Sequence, residues 1–180
     1  MHLRLCRLSL FLFFSAHWLS AIIIKTQPAP SVPTLQQLTR RAGYIFSGTV
    51  LSVERVQSKA QNEIATVRIT FRVDQAVRGV SSRQIFTIHE WAGLWESGDR
   101  YRKGEKLLLF LYQSSKLGLT SPVNGACGRF KLDSSDKILL NATRLAALQI
   151  GLPVSNPAAP SGTTSIPSRD LVRAIRRAGD

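Results

Sequence analysis

The sequence predicts a mainly β fold: five or six short strands forming a small barrel or sandwich, with short helices at its flanks. Three observations predict it. Residues 65–74 alternate strictly, with Ala65, Val67, Ile69, Phe71 and Val73 apolar and Thr66, Arg68, Thr70, Arg72 and Asp74 polar. Period two over that length puts one face on a core and the other in water. Leu107 to Leu111 is apolar without a break, as expected of a strand buried on both faces. Turn residues then separate such runs at short intervals, and no amphipathic helix of βαβ length lies between them.

Lys25 to Pro33 contains Pro28, Pro30 and Pro33 and predicts a linker. Thr34 is placed to cap a short helix through Arg41, with Leu35 and Leu38 on one side and Gly43 ending it. The first strand is predicted over Tyr44 to Val56, with a phase slip at Gly48 that suggests a bulge or tight bend. The second runs from Ala65 to Val77 and turns at Gly79; the third is Arg83 to Trp91; the fourth is Lys106 to Tyr112, led in by Gly98, Asp99 and Gly104. Leu117–Ser121 and Gly128–Leu132 predict a last hairpin around Pro122, Asn124 and Gly125. Lys137 to Leu140 reads as a further strand and Ala142 to Ile150 as a short helix closed by Gly151. Pro153 to Pro167 has a linker composition, and Ser168 caps a final helix with Leu171, Ala174, Ile175 and Ala178 on its apolar side.

The expected organisation is therefore a targeting segment over 1–24, a Pro-rich linker over 25–34, the β domain over 35–151, a second linker over 152–167 and a basic amphipathic helix over 168–180. Arg4 and Arg7 precede an uncharged, mostly apolar run from Leu8 to Ile24, the layout of a secretory signal. Ser20-Ala21 offers small residues for cleavage, although Leu19 occupies the −3 position. An uncleaved anchor is the alternative, since the run approaches the length of a membrane span. Export to a periplasmic or extracellular compartment is the expectation. Once the segment is removed a single cysteine, Cys127, remains, so no internal disulfide can form. The domain must then rely on its core, which roughly 115 residues can supply. The net charge of +13, from 24 Lys+Arg and 11 Asp+Glu, favours acidic partners: a protein, a polyanionic envelope component or anionic lipid. Nucleic acid fits the charge, but the export signal counts against it.

Three segments carry a resemblance to a known family: Tyr44-Ile45-Phe46-Ser47-Gly48-Thr49-Val50, then residues 71–79, Phe-Arg-Val-Asp-Gln-Ala-Val-Arg-Gly, then Gly104-Glu105-Lys106 followed by residues 107–111. Together they resemble the netrin-like family, which includes the tissue inhibitors of metalloproteinases, over about half the chain. The resemblance implies a five-stranded OB-type barrel. In those inhibitors an N-terminal cysteine clamps the protease zinc. No cysteine lies near a plausible cleavage point here, so the resemblance carries over the scaffold and no zinc-clamping residue.

No catalytic, cofactor-binding or metal-binding set is predicted. His89-Glu90-Trp91, with Glu96 and Asp99 nearby, is the most reactive-looking group. Adjacent strand residues point to opposite faces, however, and the spacing fits no zinc pattern. Cys127 and His89 could serve as nucleophile and base, yet no orienting third residue or oxyanion motif accompanies them. A small, packed thiol is the plainer reading. Asn141-Ala142-Thr143 matches a glycosylation sequon, a pattern too short to weigh. The predicted contact surface is the loop between the third and fourth strands: Trp91, Trp95, Arg100, Tyr101, Arg102 and Lys103. Aromatics interleaved with basic groups suit stacking and charge neutralisation; the same tryptophans could simply cap the barrel end. The expected function is an exported, non-enzymatic binding module. Its alternatives are a single-stranded nucleic-acid or polyanion binder and an inhibitor-like protein without the zinc clamp.

Overall fold

A computed structural model describes residues 32–57, 64–97, 100–148 and 163–179. The expected targeting segment over 1–24, most of the two expected linkers, Gly98, Asp99 and Gly151 lie outside the described residues.

Helix α1 spans Leu35–Arg41 and starts where Thr34 predicts it. The Thr34 hydroxyl accepts from the Gln37 amide at 3.2 Å, and the Gln37 side chain accepts from the Thr34 amide at 3.0 Å. This reciprocal box satisfies two donors that a bare helix end would leave unpaired.

Strand β1, Tyr44–Val56, pairs antiparallel with β2, Thr66–Arg78, on one side and with β4, Lys106–Leu111, on the other. Adding β3, Ile85–Trp91, beside β2 and β5, Arg129–Lys131, beside β4 gives a five-stranded antiparallel sheet in the order β3-β2-β1-β4-β5. The β1–β2 register slips between Ser47 and Gly48, at the predicted irregularity. There a Cβ on Gly48 would sit 2.6 Å from the Arg72 carbonyl oxygen, so the strands approach too closely for any side chain.

Strand β3 starts later than its apolar pattern predicts. Arg83 has φ +66° and its amide donates to the Val73 carbonyl, so it closes the turn and does not extend the strand. The expected last hairpin also does not form. Leu117–Ser121 makes only single bridges, Leu119 with His89 on β3, while the neighbouring Pro122 bridges Leu111 on β4. Gly118 at φ +72° and a proline without an N–H interrupt any continuous ladder. Residues 119–123 nonetheless bond to both strands: the Thr120 amide donates to His89 O at 2.9 Å and the Val123 amide to Phe110 O at 2.8 Å.

Strand β6, Lys137–Asn141, leads directly into α3, Ala142–Leu148, next to the two segments the sequence suggests. Its partner is β7, Thr163–Pro167, at the end of the stretch whose composition predicts a linker. Helix α4, Ser168–Gly179, follows at once.

The sheet separates two apolar clusters, and β4 serves both: Leu108 and Phe110 face the first, Leu107, Leu109 and Leu111 the second. The first cluster is closed by Leu35 and Leu38 of α1, Ile138 and Leu140 of β6, and Leu171, Val172 and Ile175 of α4. A helix as short as α4 holds its shape through such packing, not through its own propensity. The second cluster, around Phe46, Phe71, Val73 and Ile88, reaches the end of the sheet where β3 meets the short helix α2, Leu94–Ser97.

Candidate binding cleft

In β3 the buried residues Ile88 and Glu90 share one face with half-buried Phe86, while Ile85, Thr87 and Trp91 are exposed on the other. Strand alternation thus drives the Glu90 carboxyl, only 3% exposed, toward the second core. It does not stand alone there. The Trp95 indole N–H donates to Glu90 Oε2 at 3.1 Å, and the Tyr101 hydroxyl donates to Oε1 at 3.0 Å. Burial pushes the Glu90 carboxyl above its usual value, against the pull of the Trp95 and Tyr101 donors and of the Arg129 charge. Tyr101 is raised well above the ordinary phenol value, first by burial and then by the charge of Glu90 and the bond to it.

Arg129 completes the cluster from β5. Its guanidinium lies 4.3 Å above the Tyr101 ring centroid, and Nη2 donates to Glu105 Oε2 at 2.7 Å and to the Arg100 carbonyl at 2.9 Å. The Arg129 side chain is 4% exposed and that of Glu105 15%, so this ion pair is sheltered from water. Lys131 adds a longer, exposed contact to Glu105 at 3.7 Å. Sheltered donors and acceptors of this kind fix one another's geometry, because each is costly to leave unpaired.

Above this floor lies a cleft of about 450 Å³. Leu94 and Trp95 form one wall; Tyr112, Pro122 and Ala126, from the β4–β5 connection, form the other. A second hollow of about 250 Å³ shares Leu94 and Tyr112 and extends to Trp91 and Leu119. The rim is apolar and exposed: Trp91, on the second hollow, is 52% exposed, and Leu94, which lines both, is 43% exposed. The Trp91 ring lies across Gly93, where a Cβ would come within 2.5 Å of the indole.

The six residues predicted as a contact surface divide into two groups. Trp91, Arg100, Arg102 and Lys103 are exposed. Arg100 donates from Nε to the Trp95 carbonyl at 3.0 Å, which ties the basic segment to α2. Trp95 is half-buried, and Tyr101, at 4% exposure, belongs to the core. The expected stacking of a ligand on Tyr101 is therefore corrected: its ring packs against Phe71 and beneath Arg129. The sequence pattern reads Glu90 as a strand-end polar residue, with a metal ligand as the rarer alternative, and gives Tyr112 and Arg129 no role in the site. The alternation Phe86, Ile88, Glu90 is the signal that could have found the first.

His89 and Glu90 lie on opposite faces of β3, and among the described residues no three His, Cys, Asp or Glu side chains gather as a metal site. Cys127 sits on the 3-10 turn Gly125–Gly128, half-buried against the first cluster, and its carbonyl accepts from Arg144 Nη2 at 2.7 Å. Among the described residues no helix is long and apolar enough to cross a membrane. No family model, curated protein or solved structure matches the chain.

Proposed function

We propose that the chain is an exported, non-enzymatic binding module on an OB-type barrel of the netrin-like kind, and that it grips a partner protein with the cleft and its apolar rim. The observation that carries this reading is the combination of two large exposed apolar side chains, Trp91 and Leu94, with a concave site whose polar floor is already bonded. Exposed apolar side chains gathered beside a concave, largely apolar hollow are a common setting for an interaction site. A pre-bonded floor lets an aromatic or aliphatic anchor enter without stranding a polar group.

Two features support the barrel. Strand β1 lies between β2 and β4, and residues 119–123 bond to both β3 and β4, the connection that a closed sheet needs. One wall of the cleft is the β4–β5 connection, and in OB-type barrels the loop between the fourth and fifth strands belongs to the binding surface.

A polyanion-binding reading rests on exposed Arg100, Arg102 and Lys103. It is the weaker one, because the aromatic between them faces the core. The test is capture from an envelope or secreted-protein extract. Trp91→Ala with Leu94→Ala is expected to lose a discrete partner that the parent retains, with an unchanged denaturation curve. Undiminished capture by this variant would place the site elsewhere. Loss in Arg100→Gln with Arg102→Gln alone would favour the polyanion reading.

A further inference from the structure

We propose that the outer face of the packed helices α1 and α4 is a docking surface for an anionic phospholipid bilayer. The two helices touch along the first core, and their apolar residues are consumed there: Leu35, Leu38, Leu171, Val172 and Ile175 are each 2% exposed or less. Neither helix has an apolar face left to insert into lipid, so any attraction to a surface is electrostatic. On the outside α1 exposes Arg40 and Arg41, and α4 exposes Arg169, Arg173, Arg176 and Arg177. Against these six arginines the two helices carry a single acid, Asp170, which lies 3.6 Å from Arg173. Arg41 donates to the Asn124 side chain at 3.1 Å, a neutral partner that leaves its charge uncompensated.

Every cation on this face is arginine, whose planar fork suits phosphate oxygens. The exposed positions of both helices hold no aromatic residue, so a stacking platform for single-stranded nucleic acid is missing. Each arginine close to an anionic surface strengthens binding about five-fold, and the attraction fades beyond a Debye length of about 8–10 Å.

The test uses the full chain and sedimentation with two kinds of vesicle, phosphatidylcholine alone and phosphatidylcholine mixed with phosphatidylglycerol. Arg4 and Arg7 beside the apolar run Leu8–Ile24 add to any anionic preference in parent and variant alike, so the readout is the change in the ratio of the two affinities between them. The parent is expected to prefer the anionic vesicles by more than about 100-fold at low salt, with the preference collapsing at high salt. Arg169→Gln, Arg173→Gln, Arg176→Gln and Arg177→Gln together should abolish most of that ratio while circular dichroism is unchanged. If this variant misfolds, Arg40→Gln with Arg41→Gln tests the same face from α1 and should reduce the ratio about 25-fold. Equal affinity for the two vesicles overturns the proposal, as does an anionic preference that survives both variants. It is equally overturned if soluble polyphosphate or a single-stranded oligonucleotide binds with this arginine dependence while vesicles do not.

Discussion

The two sides of the central sheet are built on opposite terms. The first core is sealed by α1, α4 and the β6–β7 pair, and the buried Thr39 hydroxyl on that side satisfies itself by donating to Leu35 O at 2.9 Å. The second core is equally dense around Phe46, Phe71 and Val73, yet one end is edged by Glu90, Tyr101, Trp95 and Arg129 and opens into the cleft. Apolar burial dominates the first, with the Arg144 guanidinium stacked on Phe130 at its edge. In the second, a carboxyl and a guanidinium are held away from water, where each must be bonded to be tolerated. Polar groups kept at that cost, directly beneath a hollow with an apolar rim, are what the proposed binding role of this end of the molecule rests on.

Several changes would break or sharpen this contrast. The largest effects should be equal on the two sides. Phe110→Ala in the first core and Phe71→Ala in the second, both fully buried, should each cost about 3–5 kcal/mol in urea denaturation. A much smaller loss for Phe71→Ala would mean that the second side is not a true core. Arg129→Met should come next, destabilising by about 3 kcal/mol because it leaves Glu105 sheltered without its nearest cation; high salt should change this loss little, since the pair is largely shielded. The least disruptive change is Glu90→Gln, which keeps the shape and removes the titration. The folded Glu90 carboxyl holds its proton to higher pH than the unfolded one. Its contribution is therefore fully present below the unfolded value and is lost as pH rises through the folded value. Denaturation midpoints measured across the acidic to neutral range should fall on that account in the parent, and this component of the slope should vanish in Glu90→Gln.

Much of the scaffold was legible from local pattern. The Thr34 cap, the limits of β1, the slip at Gly48 and the two-faced burial of Leu107–Leu111 depend on neighbours in sequence, which residue order displays. What depends on distant partners was not. Pairing of β7 with β6 joins segments separated by more than twenty residues, and the composition around β7 speaks only of a linker. Tyr101 sits between two basic residues, so its local setting reads as a surface loop. Its burial is fixed by Glu90 eleven positions earlier and Arg129 twenty-eight later. The site was half legible for the same reason. Trp91 at the end of a strand and the basic residues in the following loop could be placed, whereas the β4–β5 wall, with Tyr112 and Pro122, is brought across only by the fold.

The most direct test sets the two regions against each other. A photo-crosslinking side chain is introduced at Leu94 on the cleft rim and, in a separate variant, at Leu139 on β6, which is 53% exposed and stands outside the cleft. Irradiation in an envelope or secreted-protein extract should yield one discrete protein adduct at position 94, competed by excess parent protein, and none at position 139. Adducts of equal yield at both positions, or none at position 94, would contradict the assignment of the cleft as the partner-binding surface.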